Sequence, residues 1–135
     1  MGSEIEELKK EFIITEKEEE ERLRRMLERI LKFARITVNG EVIFERKDLS
    51  RTDRIKLILV ARYLGSRLSD SIPGEVTLKE LAKMASAKEK VVSARVSELI
   101  KEGLVETVRR GHYRVRSLSA AEDIMNSIER KYEKG

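Results

Sequence analysis

Hydrophobic positions along this chain recur in two rhythms, helical three-to-four spacing and strand-like alternation, and the changes between them mark out its elements. Ile5, Leu8 and Phe12 stand at helical spacing within residues 4–12. Thr15 then reads as an N-cap, with Glu18 three residues later completing a capping box. Leu23, Met26, Leu27, Ile30, Leu31 and Ala34 follow as one apolar stripe. Acidic residues crowd the start of that segment and arginines its later turns, the polarity a helix dipole favours. The acidic run Glu18–Glu21 therefore reads as a helix start with solvated charges rather than as a binding site.

Residues 36–44 change rhythm. Asn39-Gly40 between β-branched residues predicts a two-stranded hairpin whose two turn positions both take positive φ. Ser50 and Asp53 open another helix, running to about Ser69. Its apolar set, from Ile55 to Leu68, is too wide for one face, so more than one face must be buried. One belongs against the domain core, the other against the N-terminal helices or a second subunit. Pro73-Gly74 closes the segment with a turn.

Thr77–Glu80 is a capping box opening a short helix through Met84, and Ser86–Glu89 reads as a second, opening a helix to about Glu102. Two or three residues between such helices is the spacing of a helix-turn-helix. Ala82, Ala85 and Ala87 let the two approach closely at the turn. Gly103 supplies a left-handed cap, Leu104–Val108 a strand, Arg109-Arg110-Gly111 a tight turn and His112–Arg116 the returning strand. Helix, turn, helix and β-hairpin is the winged form of the motif, with Tyr113 and Val115 expected in the wing's core. Ser119–Glu122 reads as a further capping box, followed by Ile124, Met125, Ile128 and Tyr132 at helical spacing. Such a stripe calls for burial, against a second subunit in a twofold homodimer or against Ile55–Leu68 of the same chain. The N-terminal stripe calls for the same.

The expected fold class is mainly α with small β-hairpins (α+β), a winged helix-turn-helix with flanking N- and C-terminal helices. Residues 1–49 form a helical segment plus hairpin, serving dimerisation or partner binding. Residues 50–117 form the winged domain, and residues 118–135 a C-terminal helix.

Composition narrows the function. The 135 residues include no Cys and one His, which removes disulfides, thiolate metal sites and Cys nucleophiles. With no Gly-rich phosphate loop either, little remains from which to build a catalytic site, so the chain is expected not to be an enzyme and to carry no cofactor or metal. No apolar run approaches a membrane span, and the acidic start does not resemble a signal peptide, so a cytoplasmic location is expected. Charged residues make up 40%, with no Gln and only Asn39 and Asn126 as Asn, a thermophile-like composition. Residues 1–50 carry 11 basic and 13 acidic side chains, while residues 51–135 carry 18 basic and 12 acidic. The positive excess thus lies in the C-terminal part, where a polyanion would bind, although a solvated thermophile surface also produces such a bias.

From Leu81-Ala82 through Val92-Ser93 and on to Leu99, Glu102-Gly103-Leu104-Val105, the sequence resembles winged helix-turn-helix repressors of the arsenical and multiple-antibiotic-resistance type. The register fits without gaps from Leu81 to Glu106, and with the preceding helix and the wing the resemblance covers roughly residues 50–117. It departs from the pattern at Ser86, where Gly is frequent, and at Ala94 and Ser97, where longer polar or basic side chains are common.

The resemblance implies a recognition helix over residues 87–102 lying in the major groove of double-stranded DNA, its outward residues being Lys88, Glu89, Lys90, Val91, Ser93, Ala94, Arg95 and Ser97. Lys90 and Arg95 would donate to guanine, Ser93 would meet a base edge or phosphate, Lys88 a phosphate and Val91 a thymine methyl. The wing, residues 104–116, gathers Arg109, Arg110, Arg114 and Arg116 with His112 among them, a patch suited to phosphates or a narrow minor groove. His112 itself reads as a surface hairpin residue rather than a ligand. The near-balance of basic and acidic residues from Lys88 to Glu102 equally fits an exposed, solvated helix. The expected function is a DNA-binding transcription regulator; the alternative is a winged-helix interaction module within a larger assembly.

Overall fold

Thr15, Ser50 and Thr77 each turn a side-chain oxygen onto the backbone N–H three residues on, so three helices begin where the capping pattern places them. The computed structural model describes residues 2–132. In chain order it contains α1 (Gly2–Phe12), α2 (Glu16–Ile30), β1 (Ala34–Ile36), β2 (Val42–Phe44), α3 (Arg51–Leu68), β3 (Val76–Thr77), α4 (Leu78–Ala85), α5 (Glu89–Lys101), β4 (Val105–Arg109), β5 (His112–Val115) and α6 (Leu118–Tyr132). It is an α+β fold, mostly helical, with a two-stranded sheet β1-β2 and a three-stranded antiparallel sheet ordered β3-β5-β4. No helix of the described residues is long and apolar enough to cross a membrane.

Three local expectations are corrected. Ser86 does not cap α5; it is the left-handed C-cap of α4, and Lys88 precedes α5 with no side-chain cap. The helix after the wing starts two residues early, capped by Ser117, whose Oγ accepts from Ala120 N at 3.1 Å. Ser119 and Glu122 instead both accept hydrogen bonds from Arg22 of α2. In the first hairpin only Gly40 has positive φ, because the loop is longer than two residues: Ile36 pairs with Val42, and Gly40 N closes a turn on Thr37 O at 3.0 Å. Strand β3 has no counterpart in the sequence reading. It is two residues long, held by pairing of Val76 and Thr77 with Tyr113 and His112.

α3 is the axis of the fold. Ile55, Leu57–Ala61 and Leu64 are all buried, since α2, α6, both sheets and the α4–α5 pair all pack around it. One hydrophobic core runs from Met26 to Ile128. Met26, Ile30 and Ala34 from the N-terminal stripe and Ile124, Met125 and Ile128 from the C-terminal one are buried within the chain. These six residues are covered within the chain, whereas Leu31 of the N-terminal stripe stays 56% exposed. α2 and α6 lie side by side and parallel: Arg22 bonds Ser119 and Glu122, and seven residues on, Arg29 bonds Asn126 and Glu129.

Two buried charges tie these layers together. Arg62, only 2% exposed, donates to the carbonyls of Gly40 (3.3 Å), Pro73 (2.7 Å) and Glu75 (2.8 Å) and to the Glu80 carboxylate (2.9 Å). Gly40 is required beside it, since a Cβ there would sit 3.2 Å from Arg62 Nε at φ +89°. At the other end of α3, Asp53 Oδ2 accepts from Ser50 Oγ (2.8 Å), Tyr132 Oη (2.5 Å) and Lys131 Nζ (3.0 Å). Burial on its own would raise the Asp53 carboxyl; the bonds from Tyr132, Lys131 and Ser50 outweigh it and hold the group below its ordinary value.

Removing Arg62 leaves buried acceptors unpaired, so Arg62→Ala is expected to cost about 3–5 kcal/mol in denaturant unfolding. Glu80→Gln, which leaves the three carbonyl bonds intact, should cost distinctly less. Because the Asp53 carboxyl is depressed in the folded chain, its stabilising contribution is full above the ordinary carboxylate range. It disappears as pH falls through the lower folded value. Asp53→Asn should therefore be less stable than wild type by about 1.5–3 kcal/mol at neutral pH. That gap should narrow in melts carried well below the ordinary carboxylate range.

Candidate nucleic-acid interface

Between α4 and α5 the chain must turn within three residues, and Ser86 accomplishes it at φ 54°, ψ 48°. Ala87 N bonds Ala82 O at 3.0 Å, closing α4 in a Schellman manner. A residue fixed in this left-handed conformation cannot also supply the extended N-cap of the next helix, which is why the second capping box fails.

Val92, Val96 and Leu99 bury one face of α5. Lys90, Ala94, Ser97 and Lys101 recur at three-to-four spacing on the opposite face, with Ser93 at its edge, and all five are exposed. Lys88 and Glu89 are exposed at the helix start. Val91 and Arg95 depart from the outward set. Both are half-buried at the side, and Arg95 lines a small hollow with Thr52 and Lys56 of α3 while bonding Glu98 at 2.9 and 3.1 Å.

The β4–β5 hairpin is well formed but its charges are largely answered. β4 and β5 pair from Val105↔Val115 to Thr107↔Tyr113, then slip before Arg109↔His112, with Arg110-Gly111 at the tip. Leu78 N donates to Gly111 O at 3.1 Å, so the tip rests against the first turn of α4. Arg109 lies 2.5 Å from Glu75, and Arg114 lies 2.7 Å from Glu106, its cross-strand neighbour. Arg116 approaches the same Glu106 at 3.9 Å. His112 is half-buried, its Nδ1 3.3 Å from Glu75 in an orientation that makes no hydrogen bond. No acidic residue interrupts residues 109–116 in sequence, yet two enter from outside that window in space.

Among the described residues, Arg110, Lys88, Lys90 and Lys101 have no carboxylate partner, and neither do Lys79 and Lys83 of α4. Sequence reasoning does not single out Lys79 and Lys83. Their signal is present, an i, i+4 pair on the exposed side of a helix whose other side carries Leu81 and Ala85. Across α4, α5 and the β4–β5 hairpin, the unpaired positive charge therefore sits on the two helices and the hairpin tip rather than along its strands. Glu80, which caps α4, is the titratable group in this region with a shifted pKa. Burial would raise it, but the hydrogen bonds from Arg62 and the Thr77 backbone lower it below its ordinary value, so it stays ionised.

No group of three or more His, Cys, Asp or Glu residues among those described is arranged to hold a metal ion. The chain matches no protein-family model, no curated protein and no solved structure.

Ser86→Gly removes the Cβ penalty of the left-handed turn and should raise stability by about 0.5–1 kcal/mol, read as a higher melting temperature. Ser86→Ala, which keeps the Cβ, should give no such gain.

Proposed function

We propose that residues 50–117 are a winged helix-turn-helix and that the chain binds double-stranded DNA through it, as a transcription regulator. The observation that carries this reading is the outward face of α5, where Lys90 and Lys101 bracket the small residues Ser93, Ala94 and Ser97. Small side chains let the helix backbone approach a groove floor closely, and the bracketing lysines reach the phosphates on either side. Lys79, Lys83, Lys88 and Arg110 extend the same phosphate-binding charge. With Arg95 turned aside and Lys90 reaching a phosphate, neither residue expected to donate to guanine is committed to a base edge, so phosphate binding dominates and sequence discrimination is modest.

The pairing of Arg109 with Glu75 and of Arg114 with Glu106 favours the second reading, an interaction module whose wing needs no polyanion. Exposed pairs of this kind are worth only about 0–1 kcal/mol, so a phosphate can take either arginine at little cost.

Titrating random-sequence duplex between about 50 and 200 mM salt separates the two. Wild type should weaken steeply with salt. Lys88→Ala/Lys90→Ala/Arg110→Ala should weaken throughout, its log–log slope shallower by ~0.9 for each phosphate that the variant no longer neutralises. Glu75→Gln/Glu106→Gln should bind more tightly, having released the wing arginines. Absence of binding at the lowest salt would leave the interaction module as the function.

A further inference from the structure

α1 is a helix without a berth. Ile5, Leu8 and Phe12 line one side of it, and every described residue from Ser3 through Ile14 is exposed, Phe12 at 87%. An 11-residue helix is marginal in water on its own, so an apolar stripe of this kind needs a surface to cover it.

A matching surface exists on the same molecule. Between the end of α2, β1 and the C-terminal end of α3 lies an apolar groove of about 300 Å³, lined by Leu27, Leu31, Ile36 and Leu68 with Arg35 at its mouth. It continues along α2 past Leu23. Leu31 and Leu68 are 56% and 59% exposed, although both are large and apolar. Leu23 to Leu31 spans about 12 Å of helix and Ile5 to Phe12 about 10 Å, so stripe and groove are of one length. Glu4 and Glu11 border one edge of the stripe and Lys9 the other, while Arg35 at the groove stands 3.9 Å from Glu45 and the continuation along α2 carries Glu20, Glu21 and Arg24.

α1 is badly placed to fill its own groove. Ile14, the last apolar residue of the connection, packs beside Glu18, Arg22 and Arg25 of α2. At 100° per residue these lie roughly on the reverse side of α2 from Leu23, Leu27 and Leu31. Only three residues, Ile13 to Thr15, join the helices, and Thr15 is fixed by its reciprocal bonds with Glu18 at 3.0 and 3.1 Å. With that cap kept, only the backbone of Ile13 and Ile14 is left to carry α1 around α2.

We infer that α1 is a swapped arm. The α1 of one copy lays Ile5, Leu8 and Phe12 into the Leu23–Leu31–Leu68 groove of a second copy, and the twofold partner returns the arrangement. The interface is isologous, so the arm-in-groove packing occurs twice per dimer, and it leaves the exposed faces of α4 and α5 free.

The test is sedimentation equilibrium of the full chain at micromolar concentration. Wild type should be a dimer. Leu8→Glu/Phe12→Glu on the arm, or Leu31→Glu in the groove, should raise the dissociation constant at least about a hundredfold while the core melts as in wild type. Mixing the arm variant with the groove variant should recover a heterodimer, since one intact arm then meets one intact groove. A monomeric wild type overturns the inference, and so does a dimer indifferent to the arm and groove variants. So would a monomer whose α1 amides are protected from hydrogen exchange by its own groove. Duplex binding measured on the same samples keeps the two proposals apart: a monomer that binds DNA overturns the arm alone, and an arm-dependent dimer that does not bind DNA overturns the DNA reading alone.

Discussion

The guanidinium of Arg62 is the point on which the layers of this fold agree. A charge taken so far out of water is tolerated only when its donors are satisfied, and here four acceptors from three separate segments do so. The β1–β2 loop supplies Gly40 O, the turn before β3 supplies Pro73 O and Glu75 O, and α4 supplies Glu80. The first two segments are irregular and α4 is only eight residues long. Arg62 therefore fixes where the first hairpin, the strand β3 and the start of α4 stand relative to α3. Glu80 joins the same set to the helix cap, since its other oxygen accepts from Thr77 N at 3.0 Å.

This arrangement accounts for what could be read from the sequence. Helix positions were legible because capping boxes and apolar periodicity are local: Thr15, Ser50 and Thr77 act within one turn of themselves. The breadth of the α3 apolar set announced burial on several faces, and several faces are buried. Ser86 and Ser119 misled for a common reason. Each sits in a sequence that satisfies the capping pattern, but tertiary demands take the residue first, a left-handed turn at Ser86 and a bond to Arg22 at Ser119. β3 was illegible because two residues carry no periodicity; pairing with Tyr113 and His112 makes them a strand. Arg62 carried no signal either, since one of four arginines in α3 reads equally as a solvent-facing residue.

The charged surface shows the same division between local and distant effects. A count along residues 109–116 finds four arginines and no acid, and Glu75 and Glu106 alter that only once strands are paired. Cross-strand pairing sets Glu106 beside Arg114, and the β3 approach brings Glu75 to Arg109. What the count in sequence shows as a basic wing becomes in space a paired lattice with Arg110 at its tip. The lysines of α4 and α5 escape this because the acids within their helices are otherwise placed: Glu80 is held by Arg62 and Glu98 by Arg95. Positive charge available to a polyanion is thus set by which carboxylates the fold has already committed.

Burial distributes the remaining surfaces in the same way. α2 and α6 close over α3 with a seven-residue ladder, Arg22 to Glu122 and then Arg29 to Glu129, which buries Met26 and Ile30 of α2 and the apolar side of α6 but leaves Leu31 in water. α4 and α5 give their inner sides to the core and keep polar, small-residue outer sides. After these assignments, most of the large apolar side chains still in water among the described residues lie on α1 and its connection to α2 or at Leu31 and Leu68. A chain that satisfies its interior this thoroughly leaves such residues exposed where a further surface covers them. Stripe and groove match in length, so the second copy that meets one also meets the other.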